Sequence, residues 1–129
     1  MDITLGPFKN AAAVTVTKLD PLVKAMHDQA FDTATKKKFD PKEPPDGKPA
    51  PSGFTISGKI KSVTKDGHKT QVTAGFDVWI DGTFANAPVT VPPGNGEGAP
   101  TEDIVAALTE NAITKILALI KAGSIRKAR

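Results

Sequence analysis

Between Phe54 and Asp81, apolar residues alternate with polar ones through two consecutive runs, and this pattern limits the fold more than any other feature of the chain. Phe54, Ile56, Gly58 and Ile60 alternate with Thr55, Ser57, Lys59 and Lys61. Beyond Lys65-Asp66-Gly67, Val72, Ala74, Phe76, Val78 and Ile80 alternate with Gln71, Thr73, Gly75, Asp77 and Trp79. A period of two belongs to a strand with one dry and one wet face, so a β-hairpin is predicted here. Cross-strand partners must share a face, so the numbers of paired residues must have an even sum. A two-residue Asp66-Gly67 turn gives 133 and sets Ile60 against outward Thr73. A three-residue loop with Gly67 in the left-handed position gives 132; it pairs Ile60 with Val72, Gly58 with Ala74, Ile56 with Phe76 and Phe54 with Val78. Gly58 opposite Ala74 leaves a shallow spot where a helix backbone can come close.

The dry face needs a second layer, and the flanking sequence supplies it. Asp20 offers a side-chain acceptor to free helix amides and Pro21 suits the first helical position, so a helix is predicted from there to about Lys36. Its apolar side is Leu22, Val23, Met26, Ala30 and Ala34. A second helix follows Thr101, read as its cap, with Glu102 and Asp103 at the positive end and Gly123 closing it. Ile104, Leu108, Ala112, Ile113, Ile116, Leu117 and Ile120 make its broad apolar stripe. Upstream, Ala12, Val14 and Val16 alternate with Ala13, Thr15 and Thr17, which predicts a strand over 11–17. The expected fold is α+β, a two-layer sandwich with an antiparallel-rich sheet, both helices on one face, and the order β-α-β-β-α. Residues 1–129 make one domain carrying two flexible segments: a proline-rich insert at 39–53, read as an exposed linker, and a Gly/Pro-rich loop at 85–100.

The strand and helix followed by FTISGKI, a charged turn, VTAGFDVWIDG and a closing amphipathic helix resembles the small bacterial envelope domains related to the TolB amino-terminal domain and the CsgG-like lipoproteins. The likeness covers about 12–122 and rests on periodicity with Gly58, Asp81 and Gly82; the 39–53 insert and the 94–98 glycine loop depart from it, and no lipid-attachment cysteine is present. It implies a scaffold that binds other envelope proteins and does not catalyse.

Composition narrows the chemistry. The absence of cysteine excludes disulfides, thiolate catalysis and cysteine metal sites. His27, beside Asp28, and His68, after the hairpin turn, are the two imidazoles; they lack metal-ligand spacing and read as solvent-facing. Gly94-Asn95-Gly96-Glu97-Gly98 has no following Lys-Ser or Lys-Thr, and acidic neighbours would repel phosphate, so it reads as a connector. No serine sits in a nucleophile elbow and no carboxylate pair has glycosidase spacing. The expected protein is therefore not an enzyme and carries no cofactor or metal.

Strand parity places Trp79, the only tryptophan, on the wet face between Asp77 and Asp81, and an exposed indole suits a binding anchor. The competing reading is that the 83–100 loop, or a terminal segment with Ile3, Leu5 and Phe8, covers it. The candidate partner-binding set is Trp79, Asp77, Thr55 and Lys59, and the expected partner is an unidentified protein. The alternative is weak polyanion binding through Lys59, Lys61, Arg126, Lys127 and Arg129, drawn from a net charge of +3. Nucleic acid is disfavoured, because no tyrosine and few aromatics are available to stack on bases. No run approaches the ~20 apolar residues of a membrane span. The expected state is a monomer or weak homodimer, periplasmic or secreted where a leader was removed ahead of Met1, and cytoplasmic otherwise.

Overall fold

The computed structural model describes residues 1–11, 20–86 and 91–127. Its long elements are β1 (Asp2–Asn10), α1 (Pro21–Lys36), β3 (Phe54–Asp66), β4 (Lys69–Ile80) and α2 (Thr101–Lys121), which keep the order β-α-β-β-α; the short strands β2 (Asp40–Lys42), β5 (Thr83–Asn86), β6 (Gly94–Glu97) and β7 (Arg126–Lys127) are added to them. The seven strands form one mixed sheet in the order β2-β1-β3-β4-β5-β7, with β6 also paired to β4. The β1 pairings with β2 and β3 are parallel and the others antiparallel. Ile56, Ile60, Val72 and Val78 of the hairpin are fully buried, as are Met26 and Ala30 of α1 and Ile113 of α2. They share two contiguous core clusters, so both helices cover the same face of the sheet. The fold is an α+β sandwich of two layers. Among the described residues no helix is long and apolar enough to cross a membrane.

The first strand is not the predicted one. Residues 12–17 of the expected 11–17 strand lie outside the described residues, and the strand in the sheet is Asp2–Asn10. Ile3 and Leu5 point into the core, as a period of two demands, but Phe8 also packs against it, three residues on. The register against β3 slips between Leu5 and Phe8, so an extra residue at Gly6-Pro7 returns Phe8 to the dry face. The bulge also removes the demand for a ladder amide at Pro7. These residues are central sheet, not a cover for Trp79.

Parity survives in the hairpin, but the register differs. Phe54 pairs with Ile80, Ile56 with Val78, Gly58 with Phe76 and Ile60 with Ala74. The turn is Gly67-His68, with Asp66 opposite Lys69, and Gly67 has φ 62°. A left-handed glycine at the first central position suits a two-residue hairpin turn. That turn gives odd sums as far as Ser62 with Thr73, a stretch in which core Val72 pairs with Val63, and a bulge at Lys61 then restores even sums from Ile60 with Ala74 onward. The spot above Gly58 holds aromatic rings, not a helix backbone: a Cβ there would lie 2.9 Å from Phe76 and 3.0 Å from Phe8.

Described parts of both segments expected to be flexible pair with the rest of the fold. Phe39 is buried, β2 joins the sheet, the Ala50 amide donates to Thr55 Oγ1 at 3.0 Å, and Gly53 exchanges hydrogen bonds with Asp81. The 39–53 segment is therefore fastened to the fold at Phe39, β2, Ala50 and Gly53 as a strap over one end of the sheet, while most of its side chains are exposed as expected. In the 85–100 loop, Gly94 and Gly96 of β6 are the positions where the strand passes close under α2; a Cβ on Gly96 would sit 2.6 Å from Ile104 Cδ1. Residues 87–90 of this loop lie outside the described residues. Asp20 caps α1 as predicted, through the Leu22 and Val23 amides. At α2 the cap position belongs to Pro100, and Thr101 is the first helical residue.

Candidate protein-interaction face

The register fixes what the wet face of the sheet displays. One row runs Thr4, Thr55, Trp79 and Phe84 across β1, β3, β4 and β5; the next carries Ser57 and Asp77; the next carries Lys9, Lys59 and Gly75. Trp79 is half-buried. Its Nε1 donates to Ser57 Oγ at 3.0 Å, and its ring meets Phe84 edge-on at 5.7 Å and 86°. Phe84 is 44% exposed and, with Met1, is one of the large apolar side chains left open to solvent among the described residues. Asp77 and Lys59 are exposed on the same face.

Thr55 does not belong with them. Although it lies on the wet face it is 0% exposed, because the strap crosses it and the Ala50 amide uses its hydroxyl. Its expected role in partner contact is corrected to a structural one. Phe84 is the member that sequence reasoning missed, and a signal was present. Asp81 and Gly82 have φ 51° and 79°, as a two-residue hairpin turn with both central residues left-handed requires. Reading Asp-Gly as a turn instead of a strand end sets Trp79 opposite Phe84.

The polyanion set is not assembled as expected. Lys61 lies along Gly75, where its Cε would be 2.7 Å from a Cβ, and Lys59 and Lys9 are neighbours in the adjoining row. Arg126 and Lys127 belong to β7, three strands away from β3, or about 14 Å across the sheet. Arg129 lies outside the described residues.

One polar cluster sits away from this face. His27 Nδ1 is 3.0 Å from Asp28 Oδ1 and Nε2 is 2.6 Å from Glu43 Oε1, while the ring stacks on Phe31 at 4.4 Å and meets the edge of Phe8 at 6.1 Å. The imidazole is only one-third exposed, so the expectation of a simply solvated His27 is corrected. Partial burial alone would lower its pKa, but hydrogen bonds to Asp28 and Glu43, with their charges, outweigh it and raise the pKa above 6.5. The Asp28 carboxyl is held below its usual range by its hydrogen bond from Lys24 and then by His27. Among the described residues no group of three or more His, Cys, Asp or Glu has the arrangement to hold a metal ion.

No protein-family model matches the chain, and no curated protein matches it. Solved structures do. A dodecameric variant of PelC from Paraburkholderia phytofirmans superposes with a TM-score of 0.58 at 11% identity, over 89% of this chain and 86% of that one. The hypothetical protein CT253 from Chlamydia trachomatis superposes with a TM-score of 0.55 at 10% identity, over 94% of this chain and 95% of that one. The likeness is one of fold.

Proposed function

We propose that the chain is a non-catalytic protein-interaction module of a bacterial cell, associated with the envelope or exported, and that it recruits a protein partner through the wet face of its sheet. The observation that carries this reading is the Trp79–Phe84 pair: an edge-on aromatic couple, half open to solvent, on the face opposite both helices. Aromatic anchors supply much of the binding energy of protein interfaces, and charged residues around them set orientation. Asp77 and Lys59 stand in the two rows beside the pair. The two similar structures named above come from bacteria, and one of them is a dodecamer, so association with further chains suits a fold of this kind. The envelope setting follows the TolB and CsgG-like resemblance.

A second reading, weak polyanion binding, draws on Lys9, Lys59 and Lys61 in adjoining positions. One experiment separates the two. The chain and its Trp79→Ala and Phe84→Ala variants are immobilised and exposed to extract of the producing bacterium. Loss of the partly buried indole is expected to cost about 1–2 kcal/mol of stability, leaving the fold intact by circular dichroism, while retention of a protein partner falls at least about tenfold. Retained nucleic acid that washes off steeply with salt supports the second reading instead. Equal retention by all three chains rejects the first.

A further inference from the structure

His27 joins two parts of the chain that the sheet alone does not connect. It stands on α1, and Glu43 stands on the strap immediately after β2. Both ring nitrogens face carboxylate oxygens, Nδ1 to Asp28 and Nε2 to Glu43. A neutral imidazole has a single N–H and can donate to one of them only; its other nitrogen would turn a lone pair toward an acceptor. The arrangement is satisfied when the ring carries both protons. From these contacts we propose that His27 is a pH-set latch, whose doubly protonated ring fastens the strap to α1 through Glu43 and whose loss of a proton loosens it.

The surroundings favour such a latch. From α1, Asp28 faces the ring, and Lys24 pairs with the far oxygen of that carboxylate; from the strap comes Glu43; from β1 comes apolar Phe8. When the ring loses a proton, the Glu43 contact loses the charge assistance of the imidazolium whichever nitrogen keeps its hydrogen, and so weakens. The folded pKa is raised above the ordinary 6.5, so this tie contributes its full stability below about pH 6.5 and loses it as pH rises through the folded pKa. The remaining ties of the strap, at β2, Ala50 and Gly53, involve no titrating side chain that faces His27, so the loosening is local to residues 43–49.

The Lys48 amide, which donates to the Pro45 carbonyl at 3.0 Å, reports on that stretch. On the intact chain, NMR follows the His27 ring and the exchange protection of the Lys48 amide, corrected for intrinsic rate, from pH 5.5 to 9. His27 is expected to titrate above 6.5, and Lys48 protection to fall about threefold or more with the same midpoint. In Glu43→Gln, an exposed substitution, that pH dependence should vanish. A His27 midpoint at or below 6.5, a Lys48 protection that ignores it, or a pH dependence retained in Glu43→Gln overturns the latch. The wild-type midpoints decide the matter alone if the variant fails to fold.

Discussion

Lys38 occupies a left-handed backbone conformation, φ 69°, where α1 ends. The Phe39 amide reaches back to Ala34 and the Lys38 amide to Thr35, so the last turn closes as glycine-terminated helices do, with Phe39 folded into the core. A side chain at that φ is strained, and Lys38→Gly is expected to stabilise the protein by ~0.5–1 kcal/mol, despite the entropy that glycine adds to the unfolded chain. Thermal unfolding checks this: the midpoint should rise by about 2–4 °C, and a fall would show that the lysine side chain does more than the backbone argument allows. At α2 the same closure uses Gly123, φ 71°, and there the residue was legible in advance. Single residues were readable where one chemical type does one job, as at Asp20 and Gly123. They were unreadable where a neighbour decides, as at Thr55, whose burial comes from Ala50, and at His27, whose partner Glu43 is sixteen positions along the chain.

The elements themselves follow the periodicity of the sequence, and they depart from it where a bulge or a glycine changes the count. α1, α2 and β4 could be read because each keeps one period over at least twelve residues, and β3 because it keeps one from Phe54 to Ile60. β1 could not, since the Gly6-Pro7 bulge breaks the alternation in the middle of nine residues. The register of the hairpin was hidden for the same reason: the Lys61 bulge adds a residue that parity cannot foresee. β6 was unreadable because its glycines carry no pattern, yet their absence of side chains is what lets α2 lie on it. Gly94→Ala would bring a methyl to 2.9 Å from Ile104 Cγ2 and 3.3 Å from the Ile104 carbonyl. Denaturant unfolding is expected to show a loss of about 1–3 kcal/mol. The pair Gly94→Ala with Ile104→Ala should lose less than the sum of the single changes, with a coupling of at least ~0.5 kcal/mol. Strict additivity would show that β6 and α2 do not press on each other.

At the scale of the molecule, two helices bury one side of a seven-stranded sheet, and the strap wraps one end of the other side, closing over Thr55 and stopping short of Asp77 and Lys59. What remains is an open surface with an aromatic couple at one border and lysines at the other. The two-layer architecture was legible because the dry residues of the hairpin and of both helices could be counted before any coordinate was known. The border of the open surface was not legible, because it is drawn by the strap, whose prolines read as a linker. A photo-reactive side chain placed at Asp77, on the open face, or at Ala107, on the solvent side of α2, tests this division in the producing cells. Irradiation should yield a discrete cross-linked protein from position 77 and none from position 107, whereas a product from position 107 alone would put the partner on the helices and contradict the assignment of the sheet face.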